Sequence, residues 1–394
     1  MKWKNKGHEF DDKGNMFLMQ NEIVIYGAGD CGKKFCEFLT DLEIETLFVD
    51  GDRKKQIQGC MGKKVLSPLQ LFSMPESKKN VVIATTPCYT SEIRKILESH
   101  GYIYKENFWE MEDFCQNILP IYMMYVKNKL YMDSIGFLST TVCNLRCDAC
   151  LNFTPYNKHP QHVNFKQAKE TLDLYFKAVD YVRFMSYTGG EPLLYPYVDE
   201  LLDYIGKNYR NRIHIIGMST NCTIIPKDST CELLKKHNIQ VFIDDYSKYV
   251  EKSKEILPQI TEKLDSYGIV YYVNTGEDVF WIDLAPFETD NTCLSEEELI
   301  NYRNKCAVPY REVREGKIYS CNYASFAIKA GIQEDSPNDY FELSEYNKEK
   351  KKELLEFVLG YTEKGYVDFC KHCAGFLPIN PYKKPMGRQV GQID

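Results

Sequence analysis

No run of the sequence is apolar enough to span a bilayer. The longest, ILPIYMMYV at 118–126, is broken by Pro120 and falls far short of the roughly twenty residues a spanning helix needs. It reads as packing within or between domains. The N-terminus, MKWKNKGHEFDDKGNMF, lacks the apolar stretch of a secretory signal, so a cytoplasmic location is expected and export is not. Basic charge is scarce too: the formal net charge is −7, and lysines are interleaved with acids rather than gathered in a stripe. A field that would hold nucleic acid is therefore missing. Low-complexity tracts are absent, and the only internal repetition is an alternation of strand and helix patterns.

What is present is ordinary globular material, 44% apolar and 27% charged in 394 residues, enough for two or three domains with cores of their own. Fifteen cysteines stand out. In a cytosolic chain, clustered cysteines at short spacing point to metal rather than disulfides. Seven fall into two patterned groups. The remaining eight (Cys31, Cys36, Cys60, Cys88, Cys115, Cys222, Cys231, Cys293) are scattered and read as buried free thiols.

After a tail at 1–20, residues 21–115 read as a small α/β unit. NEIVIYG ends in glycine, DCGKKFCEFLTDL has helical spacing, and TLFVDGD and NVVIATT supply further strands. Gly27, Gly29 and Gly32 form G-x-G-x-x-G where strand meets helix, and Asp50 lies at the offset expected for an acid that binds a ribose. The same glycines equally suit a tight turn in a domain that binds no nucleotide. After a linker at 116–134, strand candidates SIGFLSTTV, YVRFMSYTG, RIHIIGMST, NIQVFIDDYS and GIVYYVN alternate with amphipathic helices, implying a parallel α/β barrel or sheet with its chemistry at the carboxyl ends of the strands.

Cys143, Cys147 and Cys150, spaced C-x3-C-x2-C, follow the first of these strands. Three thiolates can ligate only three irons of a cubane, which leaves the fourth iron open. Zinc would need a fourth ligand, and His159 or His162 could offer one. The next strand leads into Tyr187-Thr188-Gly189-Gly190-Glu191-Pro192, and the third ends in Ser219-Thr220-Asn221. In this order the three motifs make residues 135–290 resemble a radical S-adenosylmethionine (radical SAM) core, a partial (β/α)6 TIM-type barrel. The resemblance implies a [4Fe-4S] cluster on the three cysteines. It also implies S-adenosylmethionine held at Tyr187, Gly189, Gly190, Glu191, Ser219 and Asn221, and a flavodoxin- or ferredoxin-type electron donor.

A second cysteine group, Cys306-x9-Gly316-x4-Cys321 followed by Cys370-x2-Cys373, supplies four thiolates, the first two brought together by a hairpin with Gly316 in its turn. Spacing alone leaves structural zinc open. The pattern resembles the twitch form of the SPASM extension of radical SAM enzymes, assigned to 291–394, which holds an auxiliary [4Fe-4S] cluster. His372, inside the CxxC, is read as a neighbour rather than a ligand.

The N-terminal unit resembles Rossmann-like domains appended to enzymes of cell-surface polysaccharide synthesis, and the stretch from DDYSKY through WIDLAPF resembles radical SAM proteins associated with surface glycans. These resemblances imply a carbohydrate or nucleotide-sugar substrate and an alcohol dehydrogenation. Asp244, Asp245, Tyr246 and Asp283 are then candidates for base or substrate ligand. Sugar epimerisation, with Cys293 or Cys222 returning hydrogen, and peptide maturation are the competing reactions; a non-catalytic iron–sulfur or zinc protein is a third class.

Overall fold

The computed structural model describes residues 1–20, 22–74, 80–276, 279–308 and 310–392. Asn21, where the first α/β unit is expected to start, lies outside them. The chain divides into two compact units, Phe10–Tyr131 and a second made of Met1–Glu9 with Met132–Asp394.

In the first unit, strands β1 (Ile23–Tyr26), β2 (Thr46–Val49), β3 (Val65–Leu66), β4 (Asn80–Ile83) and β5 (Phe108–Glu110) form one parallel sheet in the order β3-β2-β1-β4-β5. β1 and β4 are buried along their whole length. Helices cover both faces of such a sheet, so its central strands are apolar runs rather than alternations. Gly27, at φ +124°, turns the chain out of β1, and a Cβ on Gly32 would lie 1.8 Å from the Gly27 carbonyl oxygen. Only glycine lets the helix Asp30–Asp41 start this close to the strand. Residues 116–134, expected as a linker, hold most of a π-helix at Phe114–Ile118, the helix Leu119–Lys127 and the start of the next strand. The run ILPIYMMYV lies in these two helices and is largely buried. No helix among the described residues is long and apolar enough to cross a membrane.

The second unit contains β6 (Tyr131–Leu138), β7 (Tyr181–Thr188), β8 (Ile213–Thr220), β9 (Ile239–Asp244), β10 (Tyr271–Asn274), β11 (Phe280–Ile282), β12 (Arg311–Arg314), β13 (Lys317–Tyr319), β14 (Tyr340–Glu342) and β15 (Lys383–Pro385). Eight of them make a sheet ordered β10-β9-β8-β7-β6-β12-β13-β14, and β11 pairs with β15. Helices Phe165–Ala178, Val198–Tyr209, Asp228–Lys236 and Glu251–Tyr267 follow β6 to β9 in turn. Each turns its apolar side to the sheet, and Asn164 caps the first by accepting from the N–H groups of Lys166 and Gln167.

A barrel of six strands within 135–290 is not what forms. Five strands of the alternation join the main sheet there, and the place beside β6 is taken by β12, which runs parallel to β6. The C-terminal extension therefore continues the sheet. β12 turns back into β13 through Glu315 and Gly316, at φ +51° and +75°, the two left-handed residues that a tight hairpin turn requires. Residues 1–20, expected as a tail, divide between the units. Met1–Glu9 are fastened to Glu356, whose carboxylate accepts from the N–H groups of Gly7 (2.7 Å) and Glu9 (2.8 Å) and the Trp3 indole (2.7 Å).

Candidate active site

The carboxyl ends of β6 to β10 open onto one cavity of about 330 Å³, within the range of ordinary ligand sites. Cys143, Cys147 and Cys150, in the loop after β6, line it. So do Gly189, Gly190, Glu191 and Pro192 after β7, Ser219, Thr220 and Asn221 at the end of β8, Asp244 at the end of β9 and Tyr246 just beyond it. Three motifs far apart in sequence thus face one space because parallel strands deliver their following loops to the same edge.

Buried hydrogen bonds tie the motifs together. Glu191 is fully buried, and its carboxylate accepts the Asn221 N–H at 2.8 Å, the Leu193 N–H at 3.1 Å and the Thr220 hydroxyl at 3.1 and 3.2 Å. Burial pushes this carboxyl up to about 7 against those donors. The Asn221 amide in turn donates to the Cys143 thiol at 3.6 Å and to Asn144 at 3.0 Å. Gly190 forms the cradle: a Cβ there would come within 2.3 Å of the Val142 carbonyl oxygen and 2.9 Å of Cys143 Cβ.

Burial also raises the thiols, Cys143 to about 11 and Cys147 to about 12. They would ligate by releasing their protons as a cation binds. Among the described residues no three His, Cys, Asp or Glu side chains converge on a single metal ion. The three cysteines stand round the wall of a space, and His159 and His162, exposed, are not part of that wall. Three soft donors on a cavity wall, beside a glycine cradle, fit a cubane that leaves one iron for a further ligand.

Phe184, Phe242, Trp281, Tyr310, Tyr323 and Phe326 give the cavity an aromatic lining. Set into it is Glu312 of β12, which the sequence reading did not single out. It is fully buried; one carboxyl oxygen accepts the Leu138 N–H at 3.2 Å, while the other has no partner among the described residues. Burial, opposed by Arg314 and by that N–H, pushes it up to about 8. The Asn322 carbonyl oxygen, on the same cavity, is likewise without a partner among the described residues. No local signal in the sequence marks Glu312, since its hydrogen-bond donor, Leu138, lies 174 positions away.

Asp244 accepts from Asn274 at 2.8 Å and from the Tyr246 hydroxyl at 3.4 Å, and burial pushes it up to about 6 despite both. The other candidates lie elsewhere. Tyr187 is buried with its hydroxyl accepting from Ser139 at 2.9 Å, Asp245 accepts from Ser247 and Thr275, Asp283 accepts from the Ala285 N–H, and Cys293 is exposed. None of these four lines the cavity, nor does buried Cys222, whose thiol reaches the Ser253 carbonyl.

Cys306, Cys321, Cys370 and Cys373 together line a second, smaller cavity, joined by buried Arg303. Desolvation works against the Arg303 charge, and the sulfurs of Cys321, Cys370 and Cys306 outweigh it to raise the guanidinium. A fixed cation is what a cluster of thiolates needs in a dry site. The Phe376 and Gly375 N–H groups each donate at 3.3 Å, to the Cys306 and Cys373 sulfurs. His372 does not line this cavity.

In the first unit, Asp50 accepts the Ala28 N–H at 2.8 Å and the Lys55 ammonium at 2.8 Å. The acid is bound to the Gly27–Gly32 loop itself.

Residues 137–263 match the radical SAM superfamily. Over 105 residues, the chain is 34% identical to an uncharacterized protein, MJ0907, of Methanocaldococcus jannaschii, covering 26% of this chain and 35% of that one. Over 108 residues it is 32% identical to the antilisterial bacteriocin subtilosin biosynthesis protein AlbA of Bacillus subtilis, covering 27% of this chain and 22% of that one. The chain thus spans about a third or less of the length of these curated relatives. Among solved structures, likeness is slight: BtrN in complex with AdoMet and 2-DOIA has a TM-score of 0.37 at 17% identity over 62% of this chain and 93% of that one. Native anSMEcpe with bound AdoMet and a peptide gives 0.37 at 15%, over 55% and 81%. Residues 137–263 are a radical SAM superfamily domain, and the protein is an enzyme whose cofactors are S-adenosylmethionine and a [4Fe-4S] cluster.

Proposed function

We propose that the protein is a radical SAM oxidoreductase that oxidises an alcohol carbon of a carbohydrate or nucleotide-linked sugar. When bound, S-adenosylmethionine on its cluster supplies hydrogen abstraction from an unactivated C–H bond, and an auxiliary [4Fe-4S] cluster supplies an electron acceptor. Cys143, Cys147 and Cys150 would hold the first cluster; Cys306, Cys321, Cys370 and Cys373 would hold the second. Gly190 lets the loop after β7 close onto Val142 and Cys143, and Ser219 and Asn221, on the cavity, would meet the ribose of the cofactor. Glu191 positions both loops.

The observation that carries the reading is that Asp244, Glu312 and Asn322 line the same cavity as the three cysteines. Asp244, near neutrality, is suited to take the hydroxyl proton as the carbinol carbon becomes a carbonyl. Glu312, held largely neutral, donates one hydrogen bond, and the Asn322 oxygen accepts one. A donor and an acceptor lining one cavity suit hydroxyl groups. The aromatic rings exclude water from the reacting carbon. The first unit, with strand order β3-β2-β1-β4-β5 and the Gly27-x-Gly29-x-x-Gly32 turn, is read as a Rossmann-like accessory domain. A flavodoxin- or ferredoxin-type protein is the electron donor.

Similarity to AlbA favours one second reading, modification of a peptide. Anaerobic reconstitution followed by incubation with S-adenosylmethionine, dithionite and nucleotide sugars in deuterated water separates the outcomes. A two-electron oxidised sugar without solvent deuterium supports dehydrogenation. One retained deuterium at carbon replaces it with epimerisation, and turnover only with added peptides replaces it with maturation.

A further inference from the structure

The loop that carries the first three cysteines is closed by a segment from the far end of the sequence. The Asp148 N–H donates to the Arg388 carbonyl at 2.9 Å, and the Val390 N–H donates to the Arg146 carbonyl at 2.8 Å. An ion pair between Arg388 and Asp148 at 2.6 Å adds to them. Gly387, at φ +77°, passes under Tyr246, where a Cβ would lie 2.5 Å from the ring. Met386 packs with Cys147 and Tyr246, and Trp281 and Leu145 complete the apolar cover. At the centre of this strap sits Gln389. Its carbonyl oxygen accepts the Arg146 N–H at 2.7 Å, and its amide nitrogen donates to the Gly387 carbonyl at 2.7 Å and to the Cys147 sulfur at 3.2 Å. Both ends of the side chain are engaged, so the N–H aimed at sulfur is fixed in direction.

We infer that Gln389 is a positioning residue for the cluster ligand Cys147, and that its N–H···S hydrogen bond raises the reduction potential of the S-adenosylmethionine-binding cluster. This rests on the reading that Cys143, Cys147 and Cys150 hold that cluster. A donor to a thiolate sulfur withdraws electron density, and the reduced cluster, more negative by one charge, gains more from it than the oxidised one. A dry cover of Met386, Tyr246 and Trp281 strengthens the effect by keeping water from competing for the sulfur.

The test is a redox titration of the reconstituted full chain followed by electron paramagnetic resonance, reading the reduced-cluster signal that changes on addition of S-adenosylmethionine, together with iron content. Gln389→Leu is expected to keep its iron and reach half-reduction at a lower potential than wild type. Gln389→Met, which keeps the length and neutrality of the side chain but loses the donor, is expected to move the same way, and it decides the matter should Gln389→Leu lose its iron. An unchanged midpoint in the iron-replete Leu variant, or in the Met variant, overturns the role of Gln389. A wild-type chain with no signal responsive to S-adenosylmethionine overturns the cluster reading, and this role with it.

Discussion

A Cβ placed on Gly136 would lie 2.3 Å from the unpartnered carboxyl oxygen of Glu312. Gly136 is in β6 and Glu312 in the adjacent β12, directly opposite in the parallel register. The missing side chain is the room in which the buried acid stands. Gly136→Ala should therefore cost about 1–3 kcal/mol by overpacking. In the Glu312→Ala background the same change should cost much less, giving a coupling that a double-mutant cycle in urea would measure.

Glu312 also sets a pH dependence. Its folded value of about 8 lies above the ordinary 4.5, so between these values the folded chain keeps a proton that the unfolded chain has released. Stability falls as pH rises through that window and is lowest above it. Asp244 at about 6 and Glu191 at about 7 act in the same direction. Melting of the apo-protein should occur at lower temperature at pH 8 than at pH 6, and Glu312→Gln should flatten the difference.

Replacing Glu191 removes acceptors for three donors at once. Glu191→Ala should destabilise the protein by about 3 kcal/mol. It should also weaken S-adenosylmethionine binding, because the β7 loop and the end of β8 lose their common anchor. Urea denaturation and equilibrium dialysis would show both losses.

The cradle at Gly190 admits no relaxation, since the obstructing atoms include the Val142 carbonyl. Gly190→Ala should purify with less iron on the first cysteine set and without the spectral response to S-adenosylmethionine, as measured by iron analysis and electron paramagnetic resonance.

Two cubanes require roughly eight irons per chain. Serine at Cys306, Cys321, Cys370 and Cys373 should leave roughly four, with the response to S-adenosylmethionine retained. Equal amounts of zinc and cluster in wild-type protein would instead assign the second set to a structural ion.

Much of the site was legible because it is local. CxxxCxxC, GGEP and STN each lie within a few residues, and β/α alternation delivers them to one edge. The turn at Gly316 followed from the spacing of Cys306 and Cys321. Glu312 and Gln389 were not legible, since each acquires its meaning from a partner far away in the chain: Leu138, 174 positions before Glu312, and Cys147, 242 before Gln389. Asp245 and Tyr187 looked as suited in sequence as Asp244 and Tyr246, but a one-residue step along a strand or its end reverses the side chain's direction, while Asp283 and Cys293 lie on loops outside the cavity. Only tertiary structure tells which neighbour faces in. The sheet's sixth position was misjudged for a like reason, as strand order across 170 residues carries no local mark.

The strap over Cys147 has a consequence for assembly. Contacts separated by so much chain form late, because the entropy of closing a long loop is lost before they reward it. The cysteine loop, built from near neighbours, takes shape while its cover is still off. Strap variants should accordingly take up cluster readily yet release it faster to a chelator than the wild type does.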